Sequence, residues 1–477
     1  MKYQIVIGLE VHLQLKTKTK AFCGCTTDFG KEPNSNVCPV CLGFPGSLPV
    51  YNKEALNYAI KAALALGAQV QEHTKFDRKN YFYPDLPKNY QISQYDLPLS
   101  RNGFLNITAE GKSKRIGITR VHLEEDAGKL IHETEASLVD FNRAGIPLLE
   151  IVSEPDLNSS QEAFDYLTSL KSIIEYLDIS DCDMEKGSLR CDANISLRPR
   201  GSKELGVKAE LKNMNSFKGV KDALNFEALR QAGLLESGQA MEQETRLWEA
   251  QKNMTVSMRT KEGAKDYRYF PDPDLTVFII GREMISGIND SLPELPAQKL
   301  RRFVKEYSLS EYDAGILVSS KKDAEFSEDC LKKYPGKDKK NMANWLIGPL
   351  LSEANARNLD LHQLGINIDE LISLIGFVQR QELSHLSAKS VLTQMLDSGK
   401  SAQAIIKEKN LLQVSDTQEL DRIISGVIGE NQKSVNDLKN GKANALMFLV
   451  GQVMKKSSGK ANPKIVQELI KRRIDNA

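Results

Sequence analysis

The chain opens with a segment whose two faces differ in chemistry. Residues 3–15 alternate between apolar side chains at odd positions and mostly polar or small ones at even positions. A period of two over this length predicts a β-strand with one packed face. The other face carries Glu10 and His12, which are two residues apart and therefore point in the same direction. Any fold of this chain must bury one side of this strand and leave an acid beside an imidazole on the other.

Two later segments repeat this design. In residues 188–199, "SLRCDANISLRP", apolar side chains occupy the odd positions and polar ones the even positions, and "VKAELKN" (residues 207–213) has the same pattern. The stretch "RVHLEEDAGK" adds two consecutive acids. The pattern predicts one sheet with a polar face. Its expected acidic and histidine residues are Glu10, His12, Glu124 or Glu125, Asp192 and Glu210, beside the basic residues Arg190, Lys208 and Lys212.

Carboxylates crowded on one surface repel one another unless a cation or a proton intervenes. Several oxygen ligands and one imidazole suit Mg²⁺ or Mn²⁺, and nearby Arg and Lys side chains suit phosphate oxygens. The pattern therefore predicts metal-assisted phosphoryl transfer, with Glu210 as an additional Mg²⁺ ligand. The predicted catalytic residues are Glu10, His12, either Glu124 or Glu125, and Asp192. The alternative is an ordinary solvent face of antiparallel strands.

Other nucleotide and hydrolase signatures are missing from the sequence. No complete Walker A loop, Rossmann glycine fingerprint or Gly-x-Ser-x-Gly motif is present. If the protein uses ATP, a P-loop does not hold it. Hydride transfer and serine hydrolysis are correspondingly disfavoured.

Four of the seven cysteines lie close together near the N-terminus. Cys23 and Cys25 form a Cys-x-Cys pair, and Cys38 and Cys41 form a Cys-x-x-Cys pair twelve residues later. Two close pairs on a short loop can bind Zn²⁺ tetrahedrally, and four protein ligands leave no open position. We expect a structural zinc site, with free thiols or an iron–sulfur cluster as alternatives. The other three cysteines, Cys182, Cys191 and Cys330, are expected in the core.

An aromatic stretch with three prolines follows at residues 75–98, "KFDRKNYFYPDLPKNYQISQYDLP". A mobile hydrophilic linker would not carry so many aromatic side chains, so we interpret it as an ordered loop that lines a site. A packed structural loop is an equally good interpretation. The predicted site residues here are Arg78, Lys79, Tyr81, Tyr83, Lys88, Gln91 and Ser93.

The length of 477 residues exceeds what one hydrophobic core usually organises. Helical patterns separated by several short strands predict an α+β domain with a mainly antiparallel sheet over residues 1–292. Prolines near residue 293 and helical periodicity beyond it predict an all-α domain at 293–412 and a helical tail domain at 413–477. No window is apolar over about 20 residues, so a cytoplasmic location is expected.

The whole molecule is almost neutral, with a formal charge of +1, but its C-terminal end is basic. From Lys433 onward, the sequence contains ten Lys or Arg residues and three acidic residues. This excess predicts contact with a phosphate backbone without base readout. The residues proposed for this role are Lys442, Lys455, Lys456 and Lys460. A solvated helical face is the alternative.

Several of these stretches also resemble one protein family. The motifs "IGLEVH", "FDRKNYFYPDLPKNYQISQYD", "HLEEDAGK", "GIPLLEIVSEPD", "SLRCDANIS", "ELKNMNSF", "KDYRYFPDPDL" and "FLVGQVMKKSSGKANP" are similar to those of the GatB family, the B subunits of aspartyl/glutamyl-tRNA amidotransferases. They span nearly the whole chain. In the tail the sequence departs from the family pattern, because Asn444 and Met447 replace a basic residue and a glycine.

The resemblance implies a cradle domain related to glutamine synthetase, a helical domain and a tail domain that approaches tRNA. It implies ATP- and Mg²⁺-dependent conversion of Glu-tRNA(Gln), and often Asp-tRNA(Asn), to the amidated forms. The amidotransferase A subunit, a glutaminase, would supply ammonia from glutamine, and a small C subunit would brace the pair. The metal residues correspond to Glu10, His12, Glu124, Glu125 and Asp192, less surely to Glu210, while Lys79, Tyr81 and Lys88 match positions facing the ammonia path.

Two other functions fit the residues without the resemblance. The first is a non-catalytic tRNA-docking scaffold with a zinc ribbon, whose acidic face is ordinary surface. The second is a free-standing metal nuclease that cleaves RNA without ATP. An assay with Glu-tRNA(Gln), ATP, Mg²⁺ and ammonium separates all three, because only the amidotransferase makes ADP and Gln-tRNA.

Overall fold

A computed structural model describes residues 2–109, 111–260, 266–412, 417–439, 442–457, 461 and 463–475. The chain forms two compact units, Met1–Pro296 and Ala297–Ala477. The first is α+β with a mainly antiparallel sheet and the second is helical, which confirms the predicted fold class. The boundary predicted at 413 falls among residues outside the described ranges and stays a prediction. In the described parts of the chain, no helix has the length and apolar character needed to cross a membrane.

The N-terminal unit is built on a nine-stranded sheet. In chain order its strands are β1 Tyr3–Gln14, β2 Gln69–Val70, β6 Ser100–Ala109, β7 Lys112–Glu125, β10 Pro147–Ser153, β11 Leu189–Pro199, β12 Ala209–Lys212, β13 Glu244–Glu249 and β14 Met254–Thr260. Their spatial order is β14-β13-β12-β11-β1-β10-β7-β6-β2. All neighbouring pairs are antiparallel except β12 and β13. The first strand of the chain therefore lies at the centre of the sheet.

Three small sheets complete the strands of this unit. They contain β3 His73–Thr74, β4 Asp77–Asn80, β5 Tyr90–Ser93, β8 Lys129–His132, β9 Ser137–Asp140, β15 Phe270–Pro271 and β16 Phe278–Ile279. The aromatic stretch supplies β4 and β5, which pair with each other, and β4 also pairs with β15. The interpretation of this stretch as an ordered segment is confirmed.

Three helices pack on the apolar face of the large sheet: α1 Lys53–Ala65, α2 Ser160–Leu177 and α3 Phe217–Glu236, and α4 Arg282–Asp290 follows them. The odd residues of β1, such as Leu9 and Val11, share one hydrophobic core with Leu167 of α2 and Val220 of α3. The hydroxyl of Ser159 accepts a hydrogen bond from the amide of Glu162, as its sequence pattern predicts. Covering this face with helices leaves the even residues of the central strands on the opposite, polar face.

The second unit is helical throughout its described residues. Its helices are α5 Pro296–Tyr307, α6 Glu311–Leu317, α7 Lys321–Lys333, α8 Lys339–Trp345, a π-helical turn Leu346–Leu350, α9 Leu351–Arg357, a 3₁₀ turn Leu361–Leu364, α10 Ile368–Gln379, α11 His385–Ser398, α12 Ala402–Glu408, α13 Thr417–Glu430, α14 Gln432–Lys439, α15 Ala443–Lys456 and α16 Pro463–Asp475. The last four helices share a hydrophobic core of their own. Leu446, Leu449, Val450 and Val453 lie in it.

One buried carboxylate organises the beginning of this unit. Glu328 of α7 pairs with Arg302 through both of its oxygens at 2.9 Å, with Lys299 at 3.2 Å and with Lys332 at 2.6 Å. Burial alone would raise the pKa of Glu328, but hydrogen bonds from these three cations lower it to about 2. This ion cluster links α5 to α7. Without the carboxylate of Glu328, the three cations would lie close together with no shared counter-charge.

We expect Glu328→Gln to lower the free energy of unfolding by about 3 kcal/mol at pH 7, because three cations lose their counter-charge. A depressed folded-state pKa gives stability that is present above the ordinary value of 4.5 and is lost as the pH falls toward 2. Urea unfolding measured from pH 7 to pH 2.5 should therefore show the difference between wild type and variant shrinking. Glu306→Gln removes a single exposed partner of Arg302 and should change stability by less than about 0.5 kcal/mol. A difference that stays constant with pH would contradict the assignment.

Candidate functional site

Four titratable side chains converge on the polar face of the three central strands. His12 on β1 is paired with Glu150 on β10, and Glu150 is paired with His122 on β7. Paired residues on antiparallel strands point to the same face, and Glu124 lies two residues from His122 on that face. The Nε2 atom of His12 lies 3.4 Å from Glu150 and 3.8 Å from Glu124. The Nε2 atom of His122 lies 3.1 Å from Glu150 and 3.3 Å from Glu124. We call these four residues the central cluster.

The central cluster is buried, and its charges depend on one another. Burial alone would lower the pKa of both histidines. Glu150 and Glu124 reverse this effect, so the pKa of His12 is raised and that of His122 rises to about 9. Burial alone would likewise raise the pKa of Glu150, but the two histidines hold it well below its ordinary value. His122 therefore lies between two carboxylates that favour its protonated form.

Three members of the central cluster suit a hard divalent cation. Ligand atoms of His12, Glu124 and Glu150 all lie within 4.8 Å of one another. Neighbouring ligands of an octahedral ion with bonds of about 2.1 Å are about 3 Å apart, so a small contraction would complete the geometry. Two carboxylates and one imidazole also match the preference of Mg²⁺ or Mn²⁺. His122 does not belong to this group of ligand atoms, and its buried Nδ1 has no hydrogen-bond partner among the residues described.

The remaining predicted acids on this face form a separate group. Glu10 is paired with Asp192 across β1 and β11, and Asn194 donates a hydrogen bond to Glu10 at 2.9 Å. The ammonium of Lys212 contacts Asp192 and lies 3.1 Å from Glu210. The structure thus places Glu10, Asp192 and Glu210 on the predicted face, but Lys212 neutralises two of them. None of the three belongs to the group of ligand atoms around His12.

Glu125 departs from the predicted arrangement. Adjacent residues of a strand point to opposite sides, so Glu125 points away from the face that carries Glu124. It accepts hydrogen bonds from Lys88 and from the amide of Ile92, and it lines a cavity beside Cys41. The expectation that both consecutive acids serve one metal is therefore corrected: the structure brings only Glu124 to His12.

The aromatic stretch contacts the central cluster through hydrogen bonds to Glu124. Ser93 donates a hydrogen bond to Glu124 at 2.7 Å, and Gln91 donates one to the other oxygen of Glu124 at 3.2 Å. Both donors lie on β5. Two hydrogen bonds fix the orientation of Glu124, which a metal ligand requires.

The other predicted residues of the site serve different contacts. Arg78 pairs with Asp272 at 2.7 Å and lies over the ring of Tyr90. Arg190 donates a hydrogen bond to Asp126 at 3.0 Å. These two arginines are bound to carboxylates within the protein, so neither is available as an unpaired cation.

Three further predicted residues border open space or aromatic rings. The ammonium of Lys79 lies over the rings of Tyr267 and Tyr81. Tyr83 is exposed, and Lys208 lines a second cavity, which also includes Glu10. That cavity has a volume of about 250 Å³.

Sequence reasoning missed Glu150 and His122, which complete the central cluster. Glu150 is an acid inside the apolar segment "GIPLLEIVSEPD", and His122 precedes "LEED". The signal that could have identified Glu150 is a single charged residue in a strand whose other residues are apolar and mostly buried. The alternation of a single strand could not show which strands would become neighbours.

The four N-terminal cysteines converge as predicted from their spacing. Their sulfur atoms all lie within 4.8 Å of one another, so this cluster can bind a metal ion. A hydrogen bond from Cys23, assisted by the Cys38 amide and the charge of Lys20, lowers the pKa of Cys41 to about 5. A thiolate is the form that binds metals. Cys182, Cys191 and Cys330 are buried, as expected.

The basic tail carries less free charge than its composition indicates. Lys442 pairs with Asp437 at 2.9 Å, and Lys456 pairs with Glu430. Lys455 is exposed, whereas Lys460 lies outside the described residues. Met447 is also exposed, on the same helix as Lys455. Part of the predicted positive face is therefore neutralised within the tail itself.

These features define a two-unit protein whose N-terminal unit holds a group of histidines and carboxylates on the polar face of a mainly antiparallel sheet and a separate four-cysteine cluster. The GatB/GatE catalytic domain family matches residues 5–286, which include both groups, and the GatB domain family matches residues 325–474. The chain belongs to the GatB family.

Named relatives are similar over their whole length. A protein of Carboxydothermus hydrogenoformans is 52% identical over 99% of both chains. One of Thermoanaerobacter sp. (strain X514) is 53% identical over 99% of this chain and all of its own, and one of Clostridium tetani is 48% identical over all of this chain and 99% of its own. Each of the three is named as the B subunit of an aspartyl/glutamyl-tRNA(Asn/Gln) amidotransferase.

We expect Cys41→Ser to abolish metal binding by the cysteine cluster, because it replaces the most acidic thiol with a poor ligand. Elemental analysis of the purified protein should show about one metal ion fewer per chain, and the temperature of unfolding should fall. Cys330→Ser replaces a buried cysteine of the second unit and should leave the metal content unchanged. Equal metal content in Cys41→Ser and wild type would contradict the assignment.

Proposed function

We propose that this chain is the amidating subunit of an aspartyl/glutamyl-tRNA(Asn/Gln) amidotransferase. In this proposal it uses ATP to activate the side-chain carboxylate of Glu-tRNA(Gln), Asp-tRNA(Asn) or both, and then joins ammonia to it. The observation that carries the proposal is the convergence of His12, Glu124 and Glu150 inside the region that matches the GatB/GatE catalytic domain. Full-length relatives named as the B subunit of such an enzyme support it.

The chemistry explains why such a centre is needed. A carboxylate resists attack by ammonia, and phosphorylation turns one of its oxygens into a good leaving group. ATP provides the phosphoryl group, and the products are ADP, phosphate and the amidated tRNA. Phosphoryl transfer depends mainly on positioning and on neutralising charge. An acyl phosphate must also meet ammonia before water, so ammonia should come through the protein from the glutaminase partner, the A subunit, while the C subunit braces the pair.

The residues of the central cluster divide these tasks. His12, Glu124 and Glu150 would hold Mg²⁺, which would neutralise phosphate oxygens when bound. Gln91 and Ser93 keep Glu124 in place, and His122 contacts both carboxylates. Lys212 contacts Asp192 and Glu210 nearby.

The cavity beside Glu10 is the best place for the nucleotide. Gly8, Glu10, Ser196 and Lys208 line it, on the same face of β1 and β11 as the central cluster. A Cβ at Gly8, two residues before Glu10, would be in ordinary van der Waals contact with Pro155 at 3.7 Å, so a larger side chain there would extend into the cavity. Lys208 adds a positive charge at its rim, which suits a phosphate.

The remaining assignments follow from the family. Lys79, Tyr81 and Lys88 are proposed to line the ammonia path. The four cysteines are proposed to bind a structural Zn²⁺, and the tail helices to contact the tRNA backbone. We place the protein in the cytoplasm with the translation machinery.

We expect Gly8→Val to raise KM for ATP roughly 10-fold, because the new side chain occupies the nucleotide cavity and one lost contact of this size costs about 1.4 kcal/mol. KM for the aminoacyl-tRNA should stay the same. Gly233→Val adds the same side chain in open space on α3 and should alter neither value. An unchanged KM for ATP in Gly8→Val would show that the nucleotide binds elsewhere.

The function itself is tested with the complex of this chain and its partner subunits, supplied with Glu-tRNA(Gln), ATP, Mg²⁺ and ammonium. Wild type should form ADP and Gln-tRNA, and Glu150→Gln should slow both by more than about 100-fold, since losing even an outer partner of a metal ligand costs 10–100-fold. Glu154→Gln changes an exposed acid just beyond β10 and should retain full activity. Glutamine hydrolysis by the partner should be the same in all three complexes.

Two results would overturn the proposal. Binding of tRNA without Mg²⁺-dependent formation of ADP would identify a docking scaffold. Cleavage of RNA without ATP would identify a nuclease.

A further inference from the structure

Four tyrosines form a continuous row beside the central cluster. Tyr95 and Tyr269 are stacked, with ring centroids 4.4 Å apart and planes 10° apart. Tyr267 contacts Tyr269 at 6.3 Å and Tyr81 at 5.8 Å, both edge to face. The outer ring, Tyr95, is 59% exposed, whereas the other three are half-buried. The row therefore begins at the surface with an open aromatic face.

The inner part of the row reaches the catalytic carboxylates. Burial raises the pKa of Tyr269, and the negative charges of Glu124 and Glu150 raise it further, so this side chain lies within their field. Lys79 completes the inner end, with its ammonium 5.0 Å from the Tyr267 ring centroid.

Tyr95 is also fixed relative to the central cluster. It follows Ser93 by two residues, which is roughly 7 Å of extended chain, and Ser93 donates a hydrogen bond to Glu124. The amide of Tyr95 donates a hydrogen bond to the buried carboxylate of Asp77 at 2.9 Å. A stacked ring on a fixed backbone is a rigid platform.

We infer that the Tyr95–Tyr269 stack binds the 3′-terminal adenosine of the aminoacyl-tRNA by stacking on the exposed face of Tyr95. This inference rests on the proposed function and adds a binding site for one end of its substrate. Proteins bind unpaired bases on aromatic side chains. Lys79 lies at the other end of the row, over the ring of Tyr267, next to where the aminoacyl group would lie.

The position of the row favours the adenosine of tRNA over the adenine of ATP. The nucleotide cavity lies at the Gly8–Glu10 end of β1, whereas the tyrosine row lies beyond Glu124, on the β5 side. The central cluster is between them. Phosphoryl transfer requires the attacking and leaving oxygens roughly in line, so the two substrates should approach from opposite sides. If ATP occupies the cavity on one side of the central cluster, the carboxylate substrate must approach from the other side, and the tyrosine row provides an aromatic surface there.

The test uses the complete complex and a tRNA(Gln) transcript that ends in 2-aminopurine in place of adenine. Stacking on a tyrosine quenches the fluorescence of this base. Binding to wild type should quench it, Tyr95→Phe should keep the quenching, and Tyr95→Ala should abolish it. In amidation assays with ordinary Glu-tRNA(Gln), Tyr95→Ala should raise KM for the tRNA roughly 5- to 100-fold, the range expected for one lost stacking contact, and leave KM for ATP unchanged. Tyr312→Ala removes a more exposed tyrosine from the second unit and should preserve the quenching.

Quenching that persists in Tyr95→Ala would overturn the inference, and so would a rise in KM for ATP in place of KM for tRNA, which would assign the platform to the nucleotide. These results are distinguishable from failure of the proposed function. If the proposed function were wrong, the wild-type complex itself would form no Gln-tRNA.

Discussion

The pairing of β1 with β10 and β11 is the constraint on which the rest of the N-terminal unit depends. Because β1 lies at the centre of the sheet, its odd residues must be buried by helices and its even residues must face the open side. The central position of β1 therefore places Glu10 and His12 in the middle of that polar side, and no loop is needed to position them. A strand at the sheet edge would have left them without acidic neighbours on both sides.

Electrostatics then decides which of the gathered acids can act together. In the central cluster, the two buried carboxylates raise the pKa of both histidines, and the histidines lower the pKa of Glu150. One strand away, the ammonium of Lys212 contacts Asp192 and lies 3.1 Å from Glu210. Buried carboxylates this close would otherwise take up protons. The same face therefore contains one group open to a metal ion and one group already neutralised by an ammonium.

Much of the fold could be predicted from the sequence, because its signals are local. The alternation of residues 3–15 and 189–198 matches β1 and β11, and Ser159 begins α2 as its cap pattern indicates. The spacing of the cysteines predicted their convergence because a short loop limits how far apart they can lie. Glu125 was misplaced because consecutive acids were treated as interchangeable, although a strand points them to opposite sides.

The sequence by itself determined which residues share a face of each strand, because that follows from a backbone period of two. It also determined which face of each strand is apolar and which is polar, and that the four cysteines lie on one short loop. Only the tertiary structure decided that Glu150 and His122 complete the site, that Asp192 and Glu210 are paired with Lys212, and that Tyr95 meets Tyr269. These contacts join residues up to 174 positions apart or lie on strands whose order along the sheet differs from their order in the chain. Strand order is set by the packing of the whole unit, and no local pattern encodes it.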